Sequence, residues 1–481
     1  MTDRDFLGEF YLEKLRFFGT SGIRGMANTE MTPELATKLG LTYAYFLGNE
    51  GTVAVGRDVR LPAEALSFAF ISGLLSGGVD VEDCGVTPTP AVLWALKRKE
   101  LNGAAVVTGS HTPKEMIGFL FFMKDTAELS SKQAHQFEQI FFSKAKPVTW
   151  NQVGKCSDVD ISDLYLENLF DNVDLGKISS SNFKAVLDPG NGASAFIGAD
   201  ILQAAGVKTI MINGEPKGLF PGRDPYPRPE VLGGLAEEVK KCKADIGSAT
   251  DADGDRAIFV DHEGTILWGD ISGCVFVKDA LLKHGGGTVV VPINTSQLLN
   301  WACDNYNGSL VFTRVGPSAI ASNMKTKDAV IGIEETGKNI WPDSILYGDW
   351  VLSTLKMLEI MVEEQKSLCE IVKDFPKFYM RKKIFHCSEQ LKDVVLTQAL
   401  KEWKKRGEDA EIVTIDGLRI NYPDGSWLLF RPSGTEAVFR IYMESRELSR
   451  LQLLEDIGSE IVSRSLQYAN IKCQRGKNSS E

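Results

Sequence analysis

The stretch IGSATDADGDRAIFVD, Ile246–Asp261, decides how this chain is read. A run of small and apolar residues at Ile246–Ala249 reads as a buried strand, and another strand resumes at Ala257–Asp261. Between them Asp251, Asp253 and Asp255 stand at every second position, followed by Arg256. Carboxylates spaced this way repel one another unless a cation sits among them, and an all-oxygen donor set suits a hard ion such as Mg²⁺. An EF-hand loop requires Gly at its sixth position and Glu at its twelfth. Here Gly254 stands fourth and His262 twelfth, which excludes calcium of that kind. A solvated acidic turn is the plainer alternative, but the immediate return to a strand at Ala257 leaves the charges on a short loop and argues against it.

The same arrangement, an apolar strand running straight into a polar cluster, recurs on either side. Ala104–Val107 leads into Thr108-Gly-Ser110-His111-Thr-Pro113, and Val330–Ile333 leads into Glu334-Glu335-Thr336-Gly337. Short β-branched runs alternate with amphipathic helical stretches as far as residue 373, the pattern of α/β layers. Three similar α/β domains with mixed sheets are expected, over residues 1–150, 151–263 and 264–373. Within them Thr32-Pro33 opens a helix, Lys144–Asp160 is a polar connector and one long helix runs from Asp349 to Val372. Residues 374–473 segregate their strands between two helices, the second ending near Leu466, and read as a small α+β domain. The polar tail Gln474–Glu481 is expected to be disordered. Open α/β sheets place ligand sites at the carboxyl ends of strands, so loops from three domains are expected to face a central cleft.

Each cluster has a chemistry and a plainer alternative. Ser110 on a tight glycine turn beside His111 suits a nucleophile or phosphate carrier; taken alone it is also an ordinary strand-ending turn. Glu334 and Glu335 can accept hydrogen bonds from sugar hydroxyls, though acids also favour helix N-termini. Arg431-Pro-Ser433-Gly434-Thr435-Glu436, with Arg440 further on, combines exposed backbone N–H groups, hydroxyls and guanidinium forks, which suits a phosphate cradle or a hairpin turn. The glycine-rich run Phe17–Gly25 lacks P-loop spacing, and its contribution is the cation Arg24. A serine hydrolase is disfavoured because the G-x-S-x-G elbow is absent.

Composition removes other classes. Lys+Arg 53 against Asp+Glu 64 gives a net charge of -11, with no basic run, so nucleic acid is not an expected partner. Met1–Phe10 lacks a signal-peptide pattern and no apolar run approaches ~18 residues, so a cytoplasmic protein without a membrane partner is expected. The 8 cysteines show no C-x-x-C pattern and signal neither zinc nor disulfides. Nothing in the sequence sets the oligomeric state.

In this order the five clusters resemble the α-D-phosphohexomutases, which include phosphoglucomutase, phosphomannomutase and phosphoglucosamine mutase. The similarity runs from FGTSGIRG at Phe18–Gly25 to RPSGTEAVFRIY at Arg431–Tyr442, and takes in VGRDVRLPAEAL at Val55–Leu66 and FPGRDPYPRPE at Phe220–Glu230. The resemblance implies four domains around a cleft and a phosphotransferase-type isomerase that shuttles phosphate through Ser110 and a hexose 1,6-bisphosphate. It implies that Ser110, Asp251, Asp253 and Asp255 hold one Mg²⁺, and that His111 and Arg24 assist transfer. Arg256, Glu334, Thr336, Arg431, Ser433, Gly434, Thr435 and Arg440 are then expected to bind the hexose phosphate. A non-catalytic or hydrolytic phosphosugar-binding protein on the same scaffold is the alternative. It draws on two departures: Leu120 stands where the family usually has a lysine, and Lys338 where the sugar loop commonly has histidine or glycine. Lys114 and Lys338 are the candidates for the missing cation.

Overall fold

The structure, a computed structural model, describes residues 17–143, 145–434 and 437–478. Its first sheet has the order β1-β5-β4-β2-β3-β6, from β1 (Ile23–Met26), β2 (Thr52–Arg57), β3 (Asp80–Val86), β4 (Gly103–Val107), β5 (Met116–Met123) and β6 (Cys156–Asp158). Here β2, β3, β4 and β6 are parallel, and β5 is antiparallel to both of its neighbours. The second sheet, β11-β10-β9-β7-β8, comprises β7 (Lys184–Asp188), β8 (Lys208–Met211), β9 (Ile246–Ala249), β10 (Ile258–Asp261) and β11 (Ile266–Leu267). The third, β13-β12-β14-β15, comprises β12 (Gly287–Pro292), β13 (Gly308–Thr313), β14 (Ala329–Glu334) and β15 (Lys338–Ile340). All three are mixed, with β4, β9 and β14 lying parallel to β2, β7 and β12. The loops carrying Ser110, Asp251–Asp255 and Glu334–Gly337 therefore leave the carboxyl ends of parallel strands, where open α/β sheets bind ligands.

The fourth sheet is wholly antiparallel, β16-β20-β19-β18-β17, from β16 (Tyr379–His386), β17 (Glu411–Val413), β18 (Leu418–Asn421), β19 (Trp427–Pro432) and β20 (Val438–Ser445). Alternation along β19 gives it two apolar faces. Leu428 and Phe430 pack under the helices Lys392–Lys404 and Leu448–Asn478, while Trp427 and Leu429 meet Ile293 of the third domain. The expected architecture of three similar α/β domains and a terminal α+β domain is what the chain adopts.

One core runs through the first three domains, from Trp94 and Leu96 through Leu187 and Leu202 to Ile333 and Leu355. The fourth domain has a core of its own. As the Thr32-Pro33 pair predicts, Thr32 accepts the Leu35 N–H at the start of helix Pro33–Phe46.

Four local expectations change. The connector, whose Lys144 lies outside the described residues, contains β6; it has only exposed residues and so carried no apolar signal. β5 and the helix Ser131–Ser143 add to the first domain. The helical pattern from Asp349 to Val372 breaks at Gln365, whose φ of 54° is left-handed, into Trp350–Glu364 and Leu368–Val372. The last helix continues to Asn478, past the expected end near Leu466 and into the stretch expected to be disordered, since polarity alone ends no helix. Ser479–Glu481 lie outside the described residues. All 8 cysteines are free, and among the described residues no helix is long and apolar enough to cross a membrane.

Candidate active site

Ser110 leaves the end of β4 with φ 49°, a left-handed backbone that costs a residue with a Cβ about 1 kcal/mol or more. A buried pair holds it there. The Ser110 N–H donates to Thr108 Oγ1 (2.7 Å), whose hydroxyl donates to Asp58 Oδ2 (2.8 Å). Arg60 Nε lies 3.1 Å from the same oxygen, and its Nη atoms donate to the carbonyls of Ser110 (2.7 Å), Thr112 (2.8 Å) and Pro113 (2.6 Å). The Val55–Leu66 similarity had included Asp58 and Arg60 without a role. Their partners lie 50 residues or more away in the chain, beyond the reach of local spacing.

The acid loop closes over this serine. The Ser110 hydroxyl donates to Asp251 Oδ2 at 2.8 Å, and Thr89 Oγ1 donates to Asp253 Oδ2 at 3.0 Å. Arg256 Nε lies 3.4 Å from Asp251 Oδ2 and 3.8 Å from Asp255 Oδ1, and Lys338 Nζ lies 2.8 Å from Asp255 Oδ2. Ligand atoms of Asp251, Asp253 and Asp255 fall within 4.8 Å of one another. All three residues are buried, yet Oδ1 of each lacks a hydrogen-bond partner among the described residues. An unpaired buried acceptor costs about 1–3 kcal/mol, more when charged. Burial first, and then mutual repulsion, pushes the Asp253 carboxyl well above the ordinary range and raises Asp251 as well. Three orphaned, repelling carboxylate oxygens in one place fit a hard, oxygen-preferring dication. The start of the loop is braced by Arg223, which pairs with Asp188 (2.8 Å) and donates to the Asp188 and Thr250 carbonyls.

His111 Nδ1 lies 2.8 Å from Arg256 Nη2 and 3.2 Å from Ser110 Oγ. A guanidinium only donates, so Nδ1 is the acceptor and the ring proton sits on Nε2. Burial, then the charges of Arg256, Arg24, Lys338 and Arg60, hold the imidazole well below its ordinary pKa, and it stays neutral. Arg24, on β1, is among those charges, and its Nε has no hydrogen-bond partner among the described residues. Tyr226 packs 5.1 Å from the His111 ring and lies under Arg256. Of the two candidate cations, Lys114 is exposed and Lys338 is buried within the site. Leu120 packs into the shared core.

Glu334 and Glu335 diverge. Thr336 Oγ1 donates to the Glu334 carboxylate, whose charge acts on Arg256 and Lys338 at the serine end. Glu335 accepts from Asn294 Nδ2 (2.7 Å) and faces Lys382 and Arg431 of the fourth domain; burial pushes it up to about 7. Arg431 and Arg440 are opposite each other on β19 and β20, and Arg431 Nε donates to Asp416 Oδ2 at 2.9 Å. Ser433 is buried; Gly434 is exposed and lies near Thr20 of the Arg24 loop. Thr435, with Glu436, lies outside the described residues. Phe18, Thr20, Arg314, Arg431, Ser433 and Gly434 line a cleft of about 1160 Å³. Tyr226, whose ring packs on His111, also lies close enough to Arg440 for the two groups to interact electrostatically. Sequence reading missed Lys382, which had no motif around it.

Sequence profiles described as phosphoglucomutase/phosphomannomutase alpha/beta/alpha domains I, II and III match residues 15–147, 163–264 and 268–379, and the profile of the C-terminal domain matches 388–457. A protein of Thermococcus kodakarensis named phosphoglucomutase/phosphomannomutase is 36% identical over 456 residues, covering 94% of this chain and 99% of its own length. A second protein of that organism, named phosphopentomutase, is 33% identical over 463 residues, covering 95% and 100%. The crystal structure of a phosphoglucomutase/phosphomannomutase family protein from Burkholderia thailandensis shares the fold with a TM-score of 0.82 at 24% identity, covering 93% of this chain and 97% of its own. Four consecutive domain matches and full-length relatives make this chain a member of the α-D-phosphohexomutase superfamily.

Proposed function

We propose that the chain is a hexose-phosphate mutase that interconverts 1-phospho and 6-phospho sugars through phosphorylated Ser110. The observation that carries this reading is the Ser110 hydroxyl bonded to Asp251 beside three orphaned carboxylate oxygens. Asp251, Asp253, Asp255 and a phosphoryl oxygen on Ser110 would hold Mg²⁺, which when bound neutralises charge on the phosphoryl group. Arg24 and Arg256 add fixed positive charge at the same point, where positioning and charge neutralisation provide most of the rate of phosphoryl transfer. Neutral His111, held by Arg256, shapes the approach to Ser110 without adding a cation. Glu334 and Thr336 accept and donate hydrogen bonds to sugar hydroxyls, while Arg431, Ser433, Gly434, Thr435 and Arg440 grip the phosphate that is not reacting. Ser110 gives its phosphoryl group to the free hydroxyl of the substrate; the resulting hexose 1,6-bisphosphate turns over in the cleft and returns its other phosphoryl group to Ser110.

Overall identity does not choose the sugar, because relatives named for hexose and for pentose phosphates stand at 36% and 33%. The test is a coupled assay with Mg²⁺ and a bisphosphate activator on glucose 1-phosphate, mannose 1-phosphate, glucosamine 1-phosphate and ribose 1-phosphate. Isomerisation of a hexose phosphate is expected, and isomerisation of none, with Ser110 phosphorylated, would overturn the reading. The apolar Leu120 favours a second reading, a phosphosugar phosphatase or binding protein. Release of inorganic phosphate faster than isomerisation selects the first of these, and stabilisation by sugar phosphate without turnover selects the second.

A further inference from the structure

Lys338 is a fully enclosed ammonium, 3% exposed, in a place where the chain had no obligation to put one. The hairpin between β14 and β15 aims it. Gly337, at φ 93°, makes the turn, so that Lys338 stands opposite Glu334 and points into the acid loop. Gly348 lets the two strands of chain close up, since a Cβ there would lie 2.1 Å from the Asp255 carbonyl oxygen and 3.2 Å from Lys338 Cβ. The ammonium then meets Asp255 Oδ2 at 2.8 Å, an ion pair outside hydrogen-bond alignment. It donates to Tyr347 OH at 3.0 Å and lies over that ring. Tyr347 donates to Glu128 Oε1 (2.7 Å), which also accepts from Ser21 Oγ (2.6 Å) in the Arg24 loop. Lys338 is therefore held from both sides.

Within Asp255 the two oxygens face different cations, Oδ2 the Lys338 ammonium at 2.8 Å and Oδ1 Arg256 Nε at 3.8 Å, and neither has a hydrogen-bond partner among the described residues. The loop carries three carboxylates, and Arg256 and Lys338 are the two cations in ion-pair contact with them among the described residues. A positive charge a few ångströms from an ion site in a poorly screened interior repels the ion, while it steadies the same carboxylates when the ion is absent.

We propose that Lys338 is a resident counter-charge of the acid loop, a positioning residue that stabilises the loop in its ion-free state and weakens its hold on a divalent cation. The inference rests on the reading of Asp251, Asp253 and Asp255 as the Mg²⁺ loop. It separates two properties that a simple ligand site joins, because removing Lys338 should destabilise the ion-free protein and tighten its binding of the ion.

The experiment is thermal unfolding of the full chain in EDTA and across a Mg²⁺ titration, for wild type, Lys338→Met, Lys338→Gln, Lys338→Arg and Asp253→Asn. In EDTA, Lys338→Met is expected to melt a few degrees below wild type. Its Mg²⁺ midpoint should fall roughly tenfold, while Lys338→Arg, which keeps the charge, stays within about twofold of wild type. Lys338→Gln gives the same direction as Lys338→Met and carries the test should the methionine variant not fold. A Mg²⁺ midpoint in the uncharged variants equal to or above that of wild type would overturn the proposal. If wild type itself shows no Mg²⁺-dependent shift, the Mg²⁺ reading fails and takes this inference with it. If wild type shifts, Asp253→Asn does not, and Lys338→Met matches wild type, only the assignment of Lys338 falls.

Discussion

At the serine end of the site, Ser110, Asp251 and Lys338 come from three domains that share a continuous core, and buried pairs brace their loops: Asp58 with Arg60, and Asp188 with Arg223. At the far end, Arg431 and Arg440 stand on an antiparallel sheet with a separate core. That sheet meets the rest through a small apolar cluster around Ile293 and Trp427 and through polar contacts such as Arg419 with the Ile293 and Thr295 carbonyls. Interfaces of this kind suit relative domain motion, whereas a shared core does not. The difference fits the two tasks of the proposed mutase: phosphoryl transfer would need atoms fixed in place, and a sugar presenting each phosphate in turn would need a grip that can let go.

The variants that best break the comparison strike the fixed end. Ser110→Ala is expected to lower mutase turnover by at least about 10³-fold, with little change in melting temperature, because the proposed phosphoryl carrier is lost and the braces are not. Steady-state kinetics and calorimetry on the same preparation check both halves. Asp253→Asn keeps the Thr89 contact but removes a ligand charge: turnover should drop roughly 100-fold. In EDTA the same variant should melt above wild type, because asparagine removes a buried carboxyl whose ionisation is opposed by burial and by its two neighbours.

At the gripping end the signature differs. Arg440→Ala should raise KM roughly 10- to 100-fold, the worth of a charge-assisted phosphate contact, and change kcat only a few-fold. A fall in kcat with unchanged KM would place Arg440 at the chemistry instead.

The smallest effect concerns the shared core. Asp349 caps helix Trp350–Glu364 through the Leu352 N–H (3.0 Å) and accepts from Tyr165 OH (2.8 Å) and Trp94 Nε1 (3.3 Å), joining separate domains. Burial pushes its carboxyl up to about 6 from 3.8. The folded state holds this proton more tightly than the unfolded state, so the stability it contributes is complete below the unfolded value and is lost as pH rises towards about 6. Asp349→Asn keeps a capping oxygen and cannot ionise. Urea unfolding of both proteins at pH 4.5 and pH 7 should show wild type losing stability relative to the variant at the higher pH.

What could be read from the sequence divides along the same physical line. The acid loop and the serine loop were legible because their chemistry is packed into consecutive residues after a strand: Asp251–Asp255 and Ser110 fell where the spacing placed them, and Ser110 Oγ meets Asp251 across 141 residues. The braces were not legible, since Arg60 and Arg223 act through carbonyls and carboxylates distant in the chain. Spacing also gives no direction. It left Lys114 and Lys338 equivalent, and only the hairpin turn and the gap at Gly348 send Lys338 inward. The divergence of Glu334 and Glu335 towards opposite ends of the cleft, and the approach of Lys382 to Glu335, depend on how the third and fourth domains dock.

Ser110 and the acid loop are proposed to form one phosphoryl-carrying site. Peptide mass spectrometry of the protein after incubation with glucose 1,6-bisphosphate and Mg²⁺ tests it most directly, followed by a chase with sugar monophosphate. A single phosphoryl group is expected on Ser110, discharged by the chase as bisphosphate forms, and absent when EDTA replaces Mg²⁺. Phosphate on another residue, or none at all, would contradict it.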